Sequence, residues 1–163
     1  MDAVTKEKKA KQTQYYHAKD NAVAALGKVL KYQSNCADIN ELLNFWLQNL
    51  PLTHDMEEAK VQNEFLAENL LKNPSGMLGA SGERLEQVVV ILGEICWKKQ
   101  SDDETLEMLS VVIANLSQDA AAGASFQALC EAKLSEECRA RLTTTYNKCN
   151  EEVRQKVAAK IAK

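Results

Sequence analysis

Glycine and proline are scarce in this chain, six and two among 163 residues. An all-β protein draws on both for its frequent tight turns, so the shortage argues for helices. Long apolar runs are also missing. The longest, Val88 to Leu92, falls far short of the roughly 18 residues that cross a bilayer, and no membrane insertion is expected. The opening Met1-Asp2-Ala3-Val4-Thr5-Lys6-Glu7 is polar, without the apolar core of a signal peptide. The five cysteines, Cys36, Cys96, Cys130, Cys138 and Cys149, are odd in number and contain no CxxC pair, which speaks against a disulfide framework. Cys96, Cys138 and Cys149 fall on apolar helical stripes, where a thiol behaves as a small hydrophobe. A reducing, intracellular compartment fits that usage.

Residues that carry chemistry are equally sparse. The two histidines, His17 and His54, are far apart and have no cysteine neighbour at metal-ligand spacing. Cys130 and Cys138 with one histidine come nearest to a zinc set, but structural sites use shorter spacings. No GxGxxG, GxxxxGK[ST], HExxH or GxSxG sequence occurs. The expectation is therefore no enzyme, no metal and no cofactor. A net charge of −3 also excludes a general nucleic-acid binder. The basic opening Lys6, Lys8, Lys9 and Lys11 has no interleaved aromatics before Tyr15-Tyr16 and reads as a solvated helix face, so no direct nucleic-acid contact is expected.

What is present is apolar periodicity near 3.6 residues. Residues 4 to 33 form one long helix with Tyr15, Ala18, Ala22, Val23, Leu26, Val29 and Leu30 on one face, and Asp20-Asn21 mark a cap or a local break. The face around Val23 and Leu26 is expected to lack a partner. Asp38 caps a second helix over residues 39 to 49, apolar on more than one side through Ile39, Leu42, Leu43, Phe45, Trp46 and Leu50. Pro51 ends it, and Thr53 to Asp55 start a third helix that runs to about Asn73. A loop over residues 74 to 82 holds three of the glycines, after which Ser81 or Gly82 begins a helix carrying Leu85, Val88, Val89, Leu92, Ile95 and Cys96. Trp46 and Trp97 both lie on stripes that read as core. Asp102, Asp103 and Glu104 open a fifth helix, and a short one follows around Phe126 and Leu129. From Ser135 a single stripe of Cys138, Leu142, Tyr146, Cys149, Val153, Val157 and Ile161 draws one last helix to the end, with a charged opposite face.

Broad, two-sided apolar helices recur near Leu42, Leu85 and Phe126, a spacing of about 40 residues that matches HEAT-type repeats. Each is followed by a turn and a helix that opens on carboxylates. The fold class is therefore all-α, a HEAT-repeat α-solenoid segment of about seven antiparallel helices occupying residues 1–163 as one body. Residues 1–36 are an orphan second helix, residues 37–74 and 81–118 are repeats, and residues 124–163 are a terminal repeat with an extended C-terminal helix over 147–163. Such a layout reads as a piece of a longer array.

Three blocks resemble a known family. Asp20-Asn21-Ala22-Val23-Ala24-Ala25-Leu26-Gly27-Lys28-Val29-Leu30-Lys31 is similar to a block near the C-terminus of importin beta-3 type karyopherins. Asn44 to Ala59, with Trp46-Leu47, Leu50-Pro51-Leu52 and Asp55 to Ala59, is similar to the next block in the same order, and Leu78-Gly79 with the Leu85 to Glu94 helix continues it. The resemblance covers roughly residues 5 to 118, while 119 to 163 keep the layout and depart in detail. It implies the C-terminal part of a nuclear import receptor that carries basic cargo, such as ribosomal proteins or histones, through the nuclear pore under RanGTP control. RanGTP and nucleoporins would be engaged by the full-length receptor, and the location that the resemblance implies is cytoplasmic and nuclear. No ligand-contacting residue is carried over by position, since Gly27, Trp46, Leu50, Pro51 and Gly79 read as packing and turn positions.

The second helices of HEAT repeats line the concave face, so Glu57, Glu58, Glu64, Glu68, Asp102, Asp103, Glu104 and Glu107 are the candidate cargo-facing acidic surface. The plainer role of such carboxylates is to complement helix dipoles. The alternative function is a HEAT scaffold outside transport that organises a multiprotein complex.

Overall fold

The computed structural model describes residues 3–33, 38–98, 100–120 and 122–162, with side chains from Gln12 onward. Lys6, Lys8, Lys9 and Lys11, as side chains, and Cys36 lie outside that description. The chain is all-helical. Among the described residues nine helices follow one another: α1 (Ala3–Tyr32), α2 (Ile39–Gln48), α3 (Met56–Lys72), α4 (Pro74–Leu78), α5 (Leu85–Lys98), α6 (Asp103–Gln118), α7 (Gly123–Lys133), α8 (Glu136–Tyr146) and α9 (Glu151–Ile161). They divide into two compact units, Met1–Gln62 and Asn63–Lys163, with α3 beginning in the first and ending in the second.

In the first unit, α1 runs unbroken through Asp20-Asn21. Asp20 neither caps nor interrupts its own helix. Its side chain is buried, and Oδ2 accepts the backbone N–H groups of Thr53, His54 and Asp55 at 3.1, 2.7 and 2.9 Å. A carboxylate taken out of water needs such donors, and the N-terminal approach to a helix has unpaired ones to give. Asp55 completes the cap of α3 by accepting the Glu58 N–H at 3.0 Å. Asp38 is the N-cap of α2, as its sequence position suggests, and holds a left-handed φ of 42° that aspartate tolerates better than most residues. Leu50–Pro51, a cis peptide, follows α2.

The packing of α1 on α2 turns on one polar contact in the core. Trp46 is fully buried and its Nε1 donates to Gln62 Oε1 at 2.9 Å. Gly27 of α1 makes the room, because a Cβ there would stand 1.9 Å from that same oxygen. Of the face expected to stand open around Val23 and Leu26, Val23 is buried together with Ala24, while Leu26 is half-buried. The exposed large apolar residues of this unit are Tyr15, Tyr32, Phe45, Met56 and Val61, and Phe45 lies on the outer side of a helix expected to be sandwiched.

The second unit is built around α5 and α6, whose apolar residues face more than one neighbour. α5 packs on α7 and α8, and α6 on α7, α8 and α9. Three local expectations are corrected. The loop over 74–82 contains α4, started by Pro74 and capped by Asn73, whose Oδ1 accepts the Gly76 N–H. Helix α5 begins at Leu85, later than Ser81 or Gly82, because Gly82 takes φ 75° and the Ser81 N–H and hydroxyl both bind the Glu83 carboxylate, fixing a turn ahead of the helix. The final helix is two helices. Asn147 closes α8, and Asn150 opens α9 by accepting the Val153 N–H at 2.9 Å, so polar side chains interrupt a stripe whose apolar period continues across them. Trp97 is the fourth correction: it ends α5 with 48% of its surface exposed and is not core.

Two substitutions test the first unit. Asp20→Ala is expected to lower stability by about 2 kcal/mol, and Asp20→Asn by less, in urea unfolding. Gly27→Ala should cost about 1–3 kcal/mol by pushing Gln62 off Trp46. An unchanged midpoint for either alanine variant would contradict these assignments.

Candidate functional site: an acidic surface and the helix seated on it

Each candidate carboxylate has a definite place. In the first unit Glu57 pairs with Lys60 one turn away in solvent, at 2.8 Å. Glu58 is half-buried, with Oε1 2.8 Å from Lys28 Nζ and Oε2 enclosed without a hydrogen-bond partner. Glu58 thus belongs to the packing of α3 on α1, while Glu57 stays on the open surface. Asp102 is the N-cap of α6, accepting the Thr105 N–H at 2.8 Å. Glu68 and Asp103 have no hydrogen bond or ion pair among the described residues, and Asp103 is exposed.

The remaining three form a group. Glu64 lies in the part of α3 that belongs to the second unit, and Glu104 and Glu107 lie one turn apart on α6. All three are met by lysines of α9. Lys160 Nζ is 2.7 Å from Glu64 Oε1 and 3.2 Å from Glu104 Oε1, and Lys156 donates to Glu107 Oε2. Arg154 extends the contact, donating to Asn115 Oδ1 at 3.0 Å and Gln118 Oε1 at 3.5 Å, both on α6. Between these charges Val157 is buried. The arrangement follows from helix geometry: residues 156 and 160 are neighbours on one face, and 153, 157 and 161 form the adjacent apolar row.

The electrostatics agree with the geometry. The hydrogen bond that Lys156 donates to Glu107 raises its pKa above the ordinary lysine value, against the opposing effect of desolvation. For Lys160, burial alone would lower the pKa, but the hydrogen bonds and charges of Glu64 and Glu104 outweigh it and the net direction is upward. These are partly exposed pairs and each contributes modestly.

Nothing in the sequence order paired α9 with these acids. The available signal was the Lys156/Lys160 spacing of four on a helix with an apolar stripe, opposite a helix whose acids share the same spacing logic.

Other clusters have less chemistry in them. His17 and His54, distant in sequence, come together in the first unit, with Tyr16 stacked on His54 at a ring-centroid distance of 4.4 Å and His17 edge-on at 6.3 Å. The histidine Nδ1 of residue 54 shares a 2.8 Å contact with Thr53 Oγ1. Among the described residues, no three His, Cys, Asp or Glu side chains gather as a metal-ligand set. Burial pushes the Cys96 and Cys130 thiols up, away from the reactive thiolate. A cleft of about 750 Å³ lies among Leu70, Leu78, Glu83, Leu116 and Leu129, and on its lining the Ser81 hydroxyl donates to Glu83 Oε2 at 3.1 Å. No helix among the described residues is long and apolar enough to cross a membrane.

The raised lysine pKa values set a pH window for α9 docking. A base whose folded pKa exceeds its unfolded one stabilises the fold fully below the unfolded value and loses that contribution as pH rises through the folded one. The difference in Tm between the native chain and Lys156→Met/Lys160→Met is therefore expected to hold from neutral pH to about 9 and to shrink above about 10.5. A difference that vanishes near neutral pH would count against these pairings.

No protein-family model matches this chain, and no solved structure matches it significantly.

Proposed function

We propose that the chain is a non-enzymatic HEAT-repeat segment, the C-terminal part of a nuclear import receptor of the importin beta family, and that it binds basic cargo such as ribosomal proteins or histones. Cargo release would follow RanGTP binding elsewhere in the receptor, and passage would use its contacts with nucleoporins. The helix order supports the repeat: α2 with α3, α5 with α6, and α7 with α8 are successive helix–turn–helix pairs. Within the second unit α5 and α6 each pack on both α7 and α8, so two successive helix pairs lie against one another, as neighbouring repeats do.

One observation carries the cargo reading: Glu64, Glu104 and Glu107 hold a lysine-bearing helix by charge and shape together. A surface able to hold α9 has the chemistry to hold other Lys-rich segments. The scaffold reading draws on the same observation differently, since acids already paired within the chain can be purely structural.

A binding titration separates the two. Glu64→Gln/Glu68→Gln/Asp103→Asn/Glu107→Gln is compared with the native chain against a Lys-rich histone-tail peptide over a salt series. Salt-sensitive binding that weakens about tenfold in the variant is expected for the cargo reading. Binding that is absent from the native chain at low salt, or indifferent to the four changes, leaves the scaffold reading.

A further inference from the structure

We propose that α9 is a displaceable latch, occupying within the chain a site on α6 and the end of α3 that accepts a Lys-rich amphipathic helix from a partner. The inference rests on the cargo reading for the partner's identity, but not for the latch itself.

Four features of the second unit support it. The seat has both halves of a recognition surface: three carboxylates, and an apolar strip that includes Leu71 and Val111. Helix-in-groove binding uses such a combination, with apolar anchors for affinity and charges for register. The occupant is held mainly through α6, whereas α8 is packed by both α5 and α6. Its attachment is therefore the more easily undone. Alongside it an open groove of about 440 Å³ runs between Leu71, Val111 and Asn115 on one side and Val157, Ala158 and Ile161 on the other. A competing helix with a bulkier apolar row would bury additional surface in that groove. Finally, α9 is joined to α8 by the short stretch Asn147 to Asn150 and opens with its own side-chain cap, so it can leave the surface without unwinding α8 and remain a helix start.

The energetics suit a switch. The ion pairs between α9 and its seat are 25–57% exposed, a range in which each pair has a small effect on the equilibrium. A closed latch reduces the apparent affinity of any competing helix by the fraction of chains that are open. Removing both lysines is expected to raise that affinity about tenfold.

The test uses the full chain and a fluorescein-labelled peptide with the sequence of residues 150–163, read by anisotropy. Lys156→Ala/Lys160→Ala should bind the peptide about tenfold more tightly than the native chain, and adding Glu64→Gln/Glu107→Gln should remove the gain. Equal binding by the native chain and the lysine variant overturns the latch. Hydrogen exchange on the native chain gives a second measure that needs no variant. The α9 amides should exchange at least tenfold faster than those of α5, and faster again in high salt; exchange of both helices at one rate also overturns it. The two readings fail separately. A histone-tail peptide that binds native and lysine-variant chains equally removes the latch and keeps the cargo site. Gain for the 150–163 peptide without any tail binding keeps the latch and removes the cargo reading.

Discussion

An all-helical chain has to dispose of the free N–H groups at every helix start, and that requirement shapes this molecule more than any single contact. Six helices meet it with a side-chain oxygen from the residue just ahead: Asp38, Asp55, Asn73, Asp102, Ser135 and Asn150. The entry to α3 takes more. Asp20, twelve residues from the end of α1, reaches across to gather the three N–H groups of Thr53, His54 and Asp55, so the turn after α2 is held by a residue more than thirty positions earlier. That interaction ties α1 to the α2–α3 turn where helix packing alone would leave the turn loosely placed.

The acids of the chain consequently serve several purposes. Asp38, Asp55 and Asp102 are spent on caps, Glu57 on Lys60 of its own helix and Glu58 on Lys28 of α1, while Glu64, Glu104 and Glu107 are turned toward the lysines of α9. Carboxylates clustered in a first helical turn therefore do not by themselves describe a binding surface. What singles out the last three is a partner that brings charge and an apolar row together.

Much of the fold was legible in the sequence. The 3.6-residue spacing located α1, α2, α3, α5 and α6, and Asp38, Asp55 and Ser135 were readable as helix starts because each precedes an apolar period. Asn150 was not, since the stripe from Cys138 to Ile161 runs in phase through the interruption and periodicity alone reports no break there. Trp97 was misplaced because, at the end of a buried stripe, it lines an open groove with Glu137, Ala140, Arg141 and Thr144 of α8 and keeps about half its surface in solvent, which periodicity does not report. The roles of Asp20 and of Lys156 and Lys160 depend on which helices meet, and one sequence contains no record of that.

The two tryptophans give the molecule a built-in optical label. Trp46 is sealed in the first unit with its indole nitrogen bonded to Gln62, while Trp97 stands half in solvent in the second. The buried indole emits toward the blue and is shielded from aqueous quenchers, and the exposed one emits toward the red and is open to them. Disruption of the core around Trp46 would thus register as a red shift and a rise in quenchable emission, over a background from Trp97 that is quenchable from the start.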